Sequence, residues 1–206
     1  MSQQRWSEAC ERNRAPILAV LQRHLHDRRR VLEIGSGTGQ HASYFAAGLP
    51  HLHWQASDHP DHLPGIAERL AEAALPNLPA PWPLQAVLSP HPGLAPLPTP
   101  RPTFDAVFTA NTLHIMSWAH VQALFAGLPA VMADDARLCI YGPFNHHGAY
   151  SSDSNRQFDA WLKARDPEAG IRDAEAVDAL AAAQGLQLID EVAMPANNRL
   201  RVWRRG

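Results

Sequence analysis

The sequence predicts an α/β fold with a doubly wound, mostly parallel sheet of seven strands and helices on both faces. Two observations support this prediction. Short apolar runs alternate with segments of helical periodicity, and the first apolar run, residues 31–34, ends on glycines and continues into helix-forming sequence. With 206 residues, 46% hydrophobic and 18% charged, the chain is long enough to bury a core as a single domain, residues 1–206.

The predicted elements alternate along the chain. Strands are expected at residues 31–34, 52–57, 83–88, 104–108, 137–141, 186–192 and 200–203. Helices are expected at residues 5–27, 40–47, 66–74, 118–131, 153–164 and 174–183. The third strand lies in a proline-rich stretch from Pro76 to Pro102, so we expect extended loops on both sides of it.

A glycine-rich turn follows the first strand and is expected to hold a ligand. Gly35, Gly37 and Gly39 can adopt positive φ and have no Cβ, so the backbone can approach a bound molecule while free N–H groups point outward. Glu33 lies inside the apolar strand, where a carboxylate is costly unless a cation or hydrogen-bond donors meet it. A cationic ligand or the loop amides would satisfy it.

The string E-x-G-x-G-x-G, from Glu33 to Gly39, resembles the first motif of class I S-adenosylmethionine-dependent methyltransferases. The resemblance implies that the turn, including Ser36, packs against the methionine end of the cofactor. It also implies that Glu33 helps to hold the turn and the cofactor's amino group. A glycine turn without a ligand is the less favoured interpretation.

The competing interpretation is an NAD(P)-dependent oxidoreductase with the fingerprint G-x-G-x-x-G/A. Counted from Gly35, the third position of that fingerprint falls on Gln40 and fails. Counted from Gly37, it falls on Ala42 and passes, but the fingerprint then begins two residues late and leaves Glu33 without a role. This reading frame favours the methyltransferase.

Asp58 ends the second predicted strand, 19 residues after Gly39. Ligands of parallel sheets lie beyond the carboxyl ends of the strands, so Asp58 is expected to bond ribose hydroxyls. Its alternative role is a helix cap. The methyltransferase resemblance implies adenine recognition at the end of the third strand, where this chain has an apolar pair, and backbone groups near Val87 and Leu88, or Gln85, are expected to substitute.

The segment after the fourth strand resembles the fourth motif of small-molecule methyltransferases, which lines the junction of cofactor and acceptor. Asn111 is therefore expected near the methyl group, as a cofactor-binding and catalytic residue. His114 is the nearest titratable group and is a candidate general base, with a packing histidine as the equal alternative. Methyl transfer from a sulfonium is a direct displacement that needs alignment above all.

Several separate strings resemble the DUF938 family, also called UPF0585 or methyltransferase-like 26, and the match runs nearly end to end. The strings are Cys10–Arg14 with Pro16–Leu18, Tyr141–Phe144, Ser152–Asn155 with Phe158–Asp159, Arg165–Pro167, Gly170–Asp173 and Pro195–Asn198. The resemblance implies an S-adenosylmethionine-dependent enzyme with product S-adenosylhomocysteine, and a C-terminal antiparallel hairpin that closes the sheet.

Two segments are expected to cover the site. An N-terminal helix within residues 1–28 would place Arg12 and Asn13 over the cofactor. Residues 142–172 would form an active-site loop and helix, since long loops over strand ends bind ligands. The candidate acceptor residues are Phe144, His146, Asn155, Arg172, Asn197 and Asn198. Arg172 offers a planar fork for an anion, or alternatively a salt bridge to Asp166 or Asp173.

Composition narrows the partners. A net charge of −2 gives no electrostatic footprint for nucleic acid, so a small-molecule acceptor is expected. The sequence has no apolar run near 18 residues and no signal-peptide pattern, so membrane contact is not expected. Its two cysteines look like reduced thiols, which favours the cytoplasm. The expected state is a monomer or a homodimer. Twelve histidines occur without metal-ligand spacing, so no metal site is expected.

Overall fold

The computed structural model describes residues 6–206 as a twisted sheet with helices on both faces. The strands of the main sheet are β1 (Arg30–Ile34), β2 (His53–Asp58), β3 (Trp82–Pro83), β6 (Phe104–Ala110), β7 (Met132–Asn145), β9 (Leu186–Met194) and β10 (Asn198–Arg205). The helices are α1 (Glu8–His24), α2 (Gln40–Gly48), α3 (Leu63–Ala73), α4 (Trp118–Gly127), α5 (Asp153–Arg165) and α6 (Ala174–Ala183). Arg5, the first residue of the predicted N-terminal helix, lies outside the described residues.

The strand order is β3-β2-β1-β6-β7-β10-β9. Strands β3, β2, β1, β6 and β7 pair in parallel, whereas β10 runs antiparallel between β7 and β9. A short β8 (Arg172–Asp173) pairs with the end of β7. The order turns outward in both directions from β1 and β6, so the predicted doubly wound sheet with a C-terminal antiparallel hairpin is confirmed.

Two apolar clusters cover the two faces of the sheet. Helices α1, α2 and α3 pack on the face that carries Val31, Phe108 and Cys139. Helices α4 and α6 pack on the other face, against Leu32, Val107 and Leu138. Neighbouring strand residues alternate between the clusters because side chains of a strand point to opposite faces. Glu33, two residues after Val31, therefore lies on the face that α1 and α2 cover.

The third strand differs from the prediction of residues 83–88. Only Trp82 and Pro83 pair with β2, at Ser57 and Asp58. The following residues leave the sheet and form a separate antiparallel pair, β4 (Gln85–Val87) with β5 (Gly93–Ala95). Leu84 and Leu94 are buried in the part of the core that α4 covers. The apolar residues of this run therefore pack against α4 and do not extend the sheet.

The fifth predicted strand is longer than expected. It was predicted at 137–141, with a polar loop from Gly142, but β7 continues to Asn145. Strand β10 lies alongside this extension and pairs Gly142 with Arg199 and Pro143 with Asn198. The neighbouring strand supplies hydrogen-bond partners that a sequence pattern does not reveal, and residues 142–145 are therefore sheet. The loop proper covers 146–152 and is followed by α5.

Two kinds of feature, a membrane-spanning helix and a metal-binding cluster, are absent from the described residues. None of the helices within residues 6–206 combines the length and apolar character needed to cross a bilayer. In the same part of the chain, no group of three or more histidine, cysteine, aspartate or glutamate side chains is arranged to hold a metal ion.

Candidate functional site

The glycine turn joins β1 to α2 and is tied to the end of β2. Its three glycines all have positive φ, +73° at Gly35, +58° at Gly37 and +72° at Gly39. The amides of Gly35 and Ser36 each donate to the carbonyl oxygen of Ser57 at 3.0 Å. The expectation of free, outward-pointing amides is therefore not met at these positions, because the structure uses them to fix the turn.

Gly37 is the point at which the turn faces open space. A Cβ added at Gly37 would meet no heavy atom within 4 Å, whereas a Cβ at Gly35 or Gly39 would lie 3.1 Å from Thr112 or Leu70. The outer glycines are thus packed against the protein. Gly37 alone presents bare backbone to a space that a ligand can enter.

Glu33 lies beneath this turn and is 2% exposed. Its carboxylate accepts a hydrogen bond from the Trp54 indole nitrogen at 2.9 Å, and Ser36 is also a hydrogen-bond partner. The pKa of Glu33 is raised to about 7, chiefly by burial and to a smaller extent by the nearby charge of Asp58. Both partners are neutral, so a cationic group placed here would stabilise the ionised carboxylate.

Asp58 anchors the turn from the carboxyl end of β2. Its Oδ2 accepts from the Gly37 amide at 2.7 Å, and its Oδ1 accepts from the His59 amide at 2.7 Å and lies 2.7 Å from His62 Nδ1. The carboxylate is 10% exposed. Each carboxylate oxygen can accept two bonds, so among the described residues Oδ2 retains capacity for one more donor.

The N-terminal helix is bound to the turn through Gln40, a residue that the sequence did not assign to the site. Gln40 Oε1 accepts from the Ser7 amide at 2.6 Å and from Thr38 Oγ1 at 2.9 Å. Gln40 Nε2 donates to Glu11 at 3.0 Å. These bonds hold the start of α1 against the start of α2 and the glycine turn; that this helix covers a cofactor stays a prediction.

Asn13 extends from α1 into a buried polar chain. His41 Nε2 donates to Asn13 Oδ1 at 2.7 Å, and both Asn13 and Asn198 are hydrogen-bonded to the Tyr141 side chain. Burial lowers the pKa of His41 to about 4, with a smaller effect from Arg14, so its imidazole is neutral at pH 7. The chain joins α2, α1, β7 and β10 beside Glu33.

Arg12 does not take the place expected for it over the cofactor. Its side chain is 71% exposed and pairs with Glu8 one turn earlier at 3.3 Å. The 3.6-residue period of α1 turns Asn13 to the sheet and leaves Arg12 on the solvent side. Cys10 is on the inner side, close enough to Glu33 for that charge to contribute to its raised pKa, although burial is the largest cause.

The residues after β6 reach the glycine turn from the opposite side. Asn111 adopts φ +58° and its amide donates to the Tyr141 carbonyl at 2.9 Å. Thr109 Oγ1 donates to the Ile34 carbonyl at 2.8 Å and lies 2.6 Å from Thr112 Oγ1. Asn111 is therefore held in a left-handed conformation at the junction of β1, β6 and β7.

His114 is buried three residues farther on and is 6% exposed. Its pKa is lowered to about 4, chiefly by burial and to a smaller extent by the charge of Arg172. Its ring meets Phe158 edge to face, with 5.4 Å between ring centroids, and Nδ1 lies beside Gly142. The imidazole is neutral at pH 7, as a base must be, but its low pKa makes it a weak one.

Val87 and Leu88, expected to recognise adenine, do not lie at the end of the third strand. Val87 pairs with Gly93 in the separate β4–β5 sheet, and Leu88 is 43% exposed. The residues that directly follow β3 at the sheet edge are Leu84, whose amide donates to the Asp58 carbonyl at 2.9 Å, and Gln85.

Two candidate acceptor residues lie outside the polar site. Phe144 is 2% exposed and belongs to the core on the α4–α6 face, so it does not line a loop over the strand ends. His146 is half-buried, with ring nitrogens 3.7 Å from both Glu175 and Glu191. The extension of β7 explains both positions, since it carries these residues along the sheet.

The three candidate asparagines join α5 to the β9–β10 turn. Asn155 Nδ2 donates to Ser151 Oγ at 2.8 Å and to the Asn197 carbonyl at 3.2 Å, and Asn197 Nδ2 donates to Ser154 at 3.2 Å. Asn198 bonds Tyr141 and the Pro195 carbonyl. The structure thus brings Asn155, Asn197 and Asn198 into one row that continues to Asn13.

Arg172 holds backbone, in contrast to both expectations for it. Its guanidinium donates to the carbonyl oxygens of Leu113 at 3.1 Å, Met116 and Glu168. Neither Asp166 nor Asp173 forms a salt bridge with it among the described residues. Arg172 fixes the loop that carries His114, and its fork is occupied by peptide oxygens.

The family is shown by a sequence model that matches residues 4–205 and is described as "Protein of unknown function (DUF938)". The chain belongs to the DUF938 family. The resemblance carried by the sequence strings is therefore confirmed.

Solved structures similar to this DUF938 protein are methyltransferases. An O-methyltransferase family protein from Burkholderia thailandensis has a TM-score of 0.75 at 13% identity, over 93% of this chain and 56% of its own. The S-adenosylmethionine-dependent methyltransferase SibL has a TM-score of 0.75 at 18% identity, over 95% of this chain and 55% of its own. The mitomycin 7-O-methyltransferase MmcR has a TM-score of 0.71 at 18% identity, over 88% of this chain and 50% of its own. The chain spans about half the length of these proteins, and the similarity establishes a methyltransferase fold.

The site of the DUF938 protein contains several residues that the sequence did not single out. Trp54, His41 and Tyr141 contact predicted site residues, and Gln40 bonds Thr38 within the glycine turn. Trp54 lies two residues before Ala56, which pairs with Glu33, so the side chains of Trp54 and Glu33 lie on the same face of the sheet. The alternation of side chains along a strand was therefore a sequence signal for Trp54. Tyr141 had no comparable signal, since its partners come from distant segments.

Proposed function

We propose that this DUF938 protein is an S-adenosylmethionine-dependent methyltransferase that acts on a small-molecule acceptor by direct displacement. The observation that carries the proposal is Glu33, a buried carboxylate with neutral hydrogen-bond partners, one of which is Ser36 of the glycine turn, next to the open backbone of Gly37. A ligand with a cationic end suits this arrangement, because it would offset the cost of ionising a carboxylate that burial leaves with a pKa of about 7.

The residues present fit the two ends of such a cofactor. Glu33 would meet the amino group of its methionine part, and Gly37 allows close approach of the chain to it. Asp58 would accept from a ribose hydroxyl through the remaining capacity of Oδ2. Leu84 and Gln85, rather than Val87 and Leu88, follow β3 at the edge where the adenine would lie. When bound, S-adenosylmethionine supplies a sulfonium methyl group for transfer.

The transfer itself requires alignment and exclusion of water. Asn111, fixed in a left-handed conformation between β6 and β7, would position groups at the junction of cofactor and acceptor. His114 is neutral, so its imidazole can accept a hydrogen bond from an acceptor hydroxyl or amine. With a pKa near 4 its role is orientation of that group, and the proton of the nucleophile is released to solvent after the methyl group has been transferred and the product departs.

The acceptor would enter between α1 and α5. The row from Asn13 through Tyr141 and Asn198 to Asn155 supplies polar groups along this side. The N-terminal segment 1–28 would cover the cofactor, and the α5 part of 142–172 would cover the acceptor. Structural neighbours named as O-methyltransferases support an oxygen atom of a small molecule as the nucleophile.

Calorimetric titration of the purified protein with S-adenosylmethionine, S-adenosylhomocysteine and NADH tests the proposal. We expect the two adenosyl ligands to bind and NADH to show no heat of binding. Binding of NADH alone would overturn the proposal in favour of the oxidoreductase. Binding of the adenosyl ligands without transfer to any acceptor in a metabolite panel would favour a non-catalytic binding module.

A further inference from the structure

The hydroxyl of Tyr141 lies on the same face of the sheet as the carboxylate of Glu33. Glu33 of β1 pairs with Phe108 of β6, and Phe108 pairs with Cys139 of β7. Tyr141 follows Cys139 by two residues and belongs to the same apolar cluster under α1. Since side chains two residues apart on a strand share a face, Tyr141 lies on the Glu33 face, nearer to the carboxyl ends of the strands.

The hydrogen bonds that reach Tyr141 have a fixed direction. His41 Nε2 lies 2.7 Å from Asn13 Oδ1, and an amide oxygen can only accept, so Nε2 carries the hydrogen. The amide nitrogen of Asn13 is then left to donate to Tyr141. Burial raises the pKa of Tyr141, and the bonds from Asn13 and Asn198 oppose that effect, as amide N–H donors to Oη do. Oη therefore accepts from two neutral amides.

The hydroxyl hydrogen of Tyr141 has no protein acceptor. A tyrosine hydroxyl accepts through its lone pairs and donates one hydrogen, which burial keeps on the oxygen at physiological pH. Within residues 6–206 no carbonyl or carboxylate oxygen accepts this hydrogen, although the residue is only 3% exposed. Buried donors are almost always paired in folded proteins. The unpaired hydrogen therefore indicates a position for an oxygen atom of a ligand.

The space between Glu33 and Tyr141 has opposite chemistry at its two ends. Glu33 offers a hydrogen-bond acceptor that a cation would stabilise, and Tyr141 offers a donor. Cys10 of α1 lies near both, since it contributes to the raised pKa of Tyr141 and Glu33 contributes to its own, each after burial. With neighbouring strands about 4.8 Å apart, β1 and β7 are about 10 Å apart, a gap that two long side chains narrow. A group with adjacent cationic and anionic ends fits there.

We propose that Tyr141 binds the carboxylate of the methionine part of S-adenosylmethionine by donating its hydroxyl hydrogen, while Glu33 meets the amino group. The inference rests on the proposed function and adds the residue that selects ligands with a free α-carboxylate. The bonds donated by Asn13 and Asn198 polarise the O–H group and strengthen it as a donor. The polar row thus reaches the cofactor at Tyr141 and the acceptor at Asn155.

The test compares S-adenosylhomocysteine with its decarboxylated analogue, S-adenosyl-3-thiopropylamine, which keeps the amino group. Both are titrated calorimetrically into the full-length protein. Tyr141→Phe should weaken S-adenosylhomocysteine binding roughly tenfold, because one hydrogen bond to a charged group is lost, and should leave the affinity for the analogue unchanged. A purely structural role of the tyrosine would change both affinities alike.

Two further variants locate the effect. Tyr44→Phe is the matched control, because Tyr44 is a half-buried tyrosine of α2 whose ring faces Arg14 at 4.6 Å, and both affinities should stay unchanged. Asn198→Ala removes one amide donor to Oη and leaves the tyrosine intact. It should weaken S-adenosylhomocysteine binding several-fold and spare the analogue. Thermal unfolding checks that each variant is folded, and if Tyr141→Phe is not, the Asn198→Ala comparison decides by the same criterion.

The titrations separate the inference from the proposed function. Equal S-adenosylhomocysteine affinity of wild type and Tyr141→Phe would overturn the inference, and so would losses of equal size for the two ligands. Either result leaves the methyltransferase proposal standing, because the adenosyl ligands still bind to wild type. If neither adenosyl ligand binds to wild type, the proposed function is wrong and the inference falls with it.

Discussion

The indole nitrogen of Trp54 donates a hydrogen bond of 2.9 Å to the carboxylate of Glu33, which lies beneath the glycine turn. This bond favours the ionised carboxylate, but burial outweighs it and raises the pKa of Glu33 from 4.5 to about 7. The folded protein therefore binds a proton at Glu33 more tightly than the unfolded chain does. Between pH 4.5 and 7 the folded state holds more protons, so this group makes the free energy of unfolding fall as pH rises.

Glu33→Gln should remove this pH dependence, because a neutral amide has no ionisation cost. Relative to wild type, the variant should gain about 3 kcal/mol in free energy of unfolding between pH 4.5 and pH 8. His41 and His114 have lowered pKa values and give the opposite slope, but they are present in both proteins and cancel in the difference. Urea unfolding of both proteins across this pH range measures it. A constant difference would show that Glu33 ionises normally.

Asp58→Ala should weaken S-adenosylmethionine binding by about 2–4 kcal/mol, because one or two charge-assisted hydrogen bonds to the ribose are lost and the Gly37 amide loses its acceptor. Asp61→Ala is the control, since this carboxylate is 85% exposed and three residues away. Calorimetry of the two variants gives the comparison. Equal affinities of Asp58→Ala and wild type would remove Asp58 from the cofactor site.

Gly37→Ala should reduce S-adenosylmethionine affinity more than it reduces stability. Its φ of +58° costs an alanine roughly 1–2 kcal/mol, but a methyl group there meets no protein atom and would occupy the space facing the ligand. Gly148→Ala is a matched control, because Gly148 has φ +72° and the same open surroundings outside the site. Similar losses of stability in both variants, with weaker binding only in Gly37→Ala, are expected from thermal unfolding and calorimetry.

The positions of Glu33 and Asp58 could be predicted from the sequence because the rules that place them are local. Asp58 ends β2 and Glu33 lies one residue before the end of β1; the two strands pair in parallel, and parallel strands bring their carboxyl ends to one edge. Asn13 is expected over the cofactor together with Arg12, and the helical period of α1 turns only Asn13 inward. These residues depend on strand ends and helical periodicity, which short stretches of sequence contain.

The third strand and the start of the long loop could not be predicted in the same way. A run of apolar residues such as 84–88 has the same pattern whether it extends a sheet or folds back onto a helix, and only the packing of Leu84 and Leu94 on α4 decides. Gly142 and Pro143 look like a turn, but β10, more than 50 residues later, pairs with them. Long-range pairing outweighs local propensity at these positions.

Arg172→Lys should lower the free energy of unfolding by about 2 kcal/mol, because an ammonium group cannot reproduce a planar fork that donates to the carbonyls of Leu113, Met116 and Glu168. For a domain of this size the midpoint of thermal unfolding should fall by roughly 4–8 °C. Arg156→Lys is the control, since that side chain is 66% exposed and pairs with Asp153. The loop that Arg172 fixes carries His114, which is not among the residues that would hold the cofactor, so S-adenosylmethionine affinity should be kept. A normal unfolding midpoint would mean that the loop is held by other contacts and that Arg172 is free to bind an anionic acceptor.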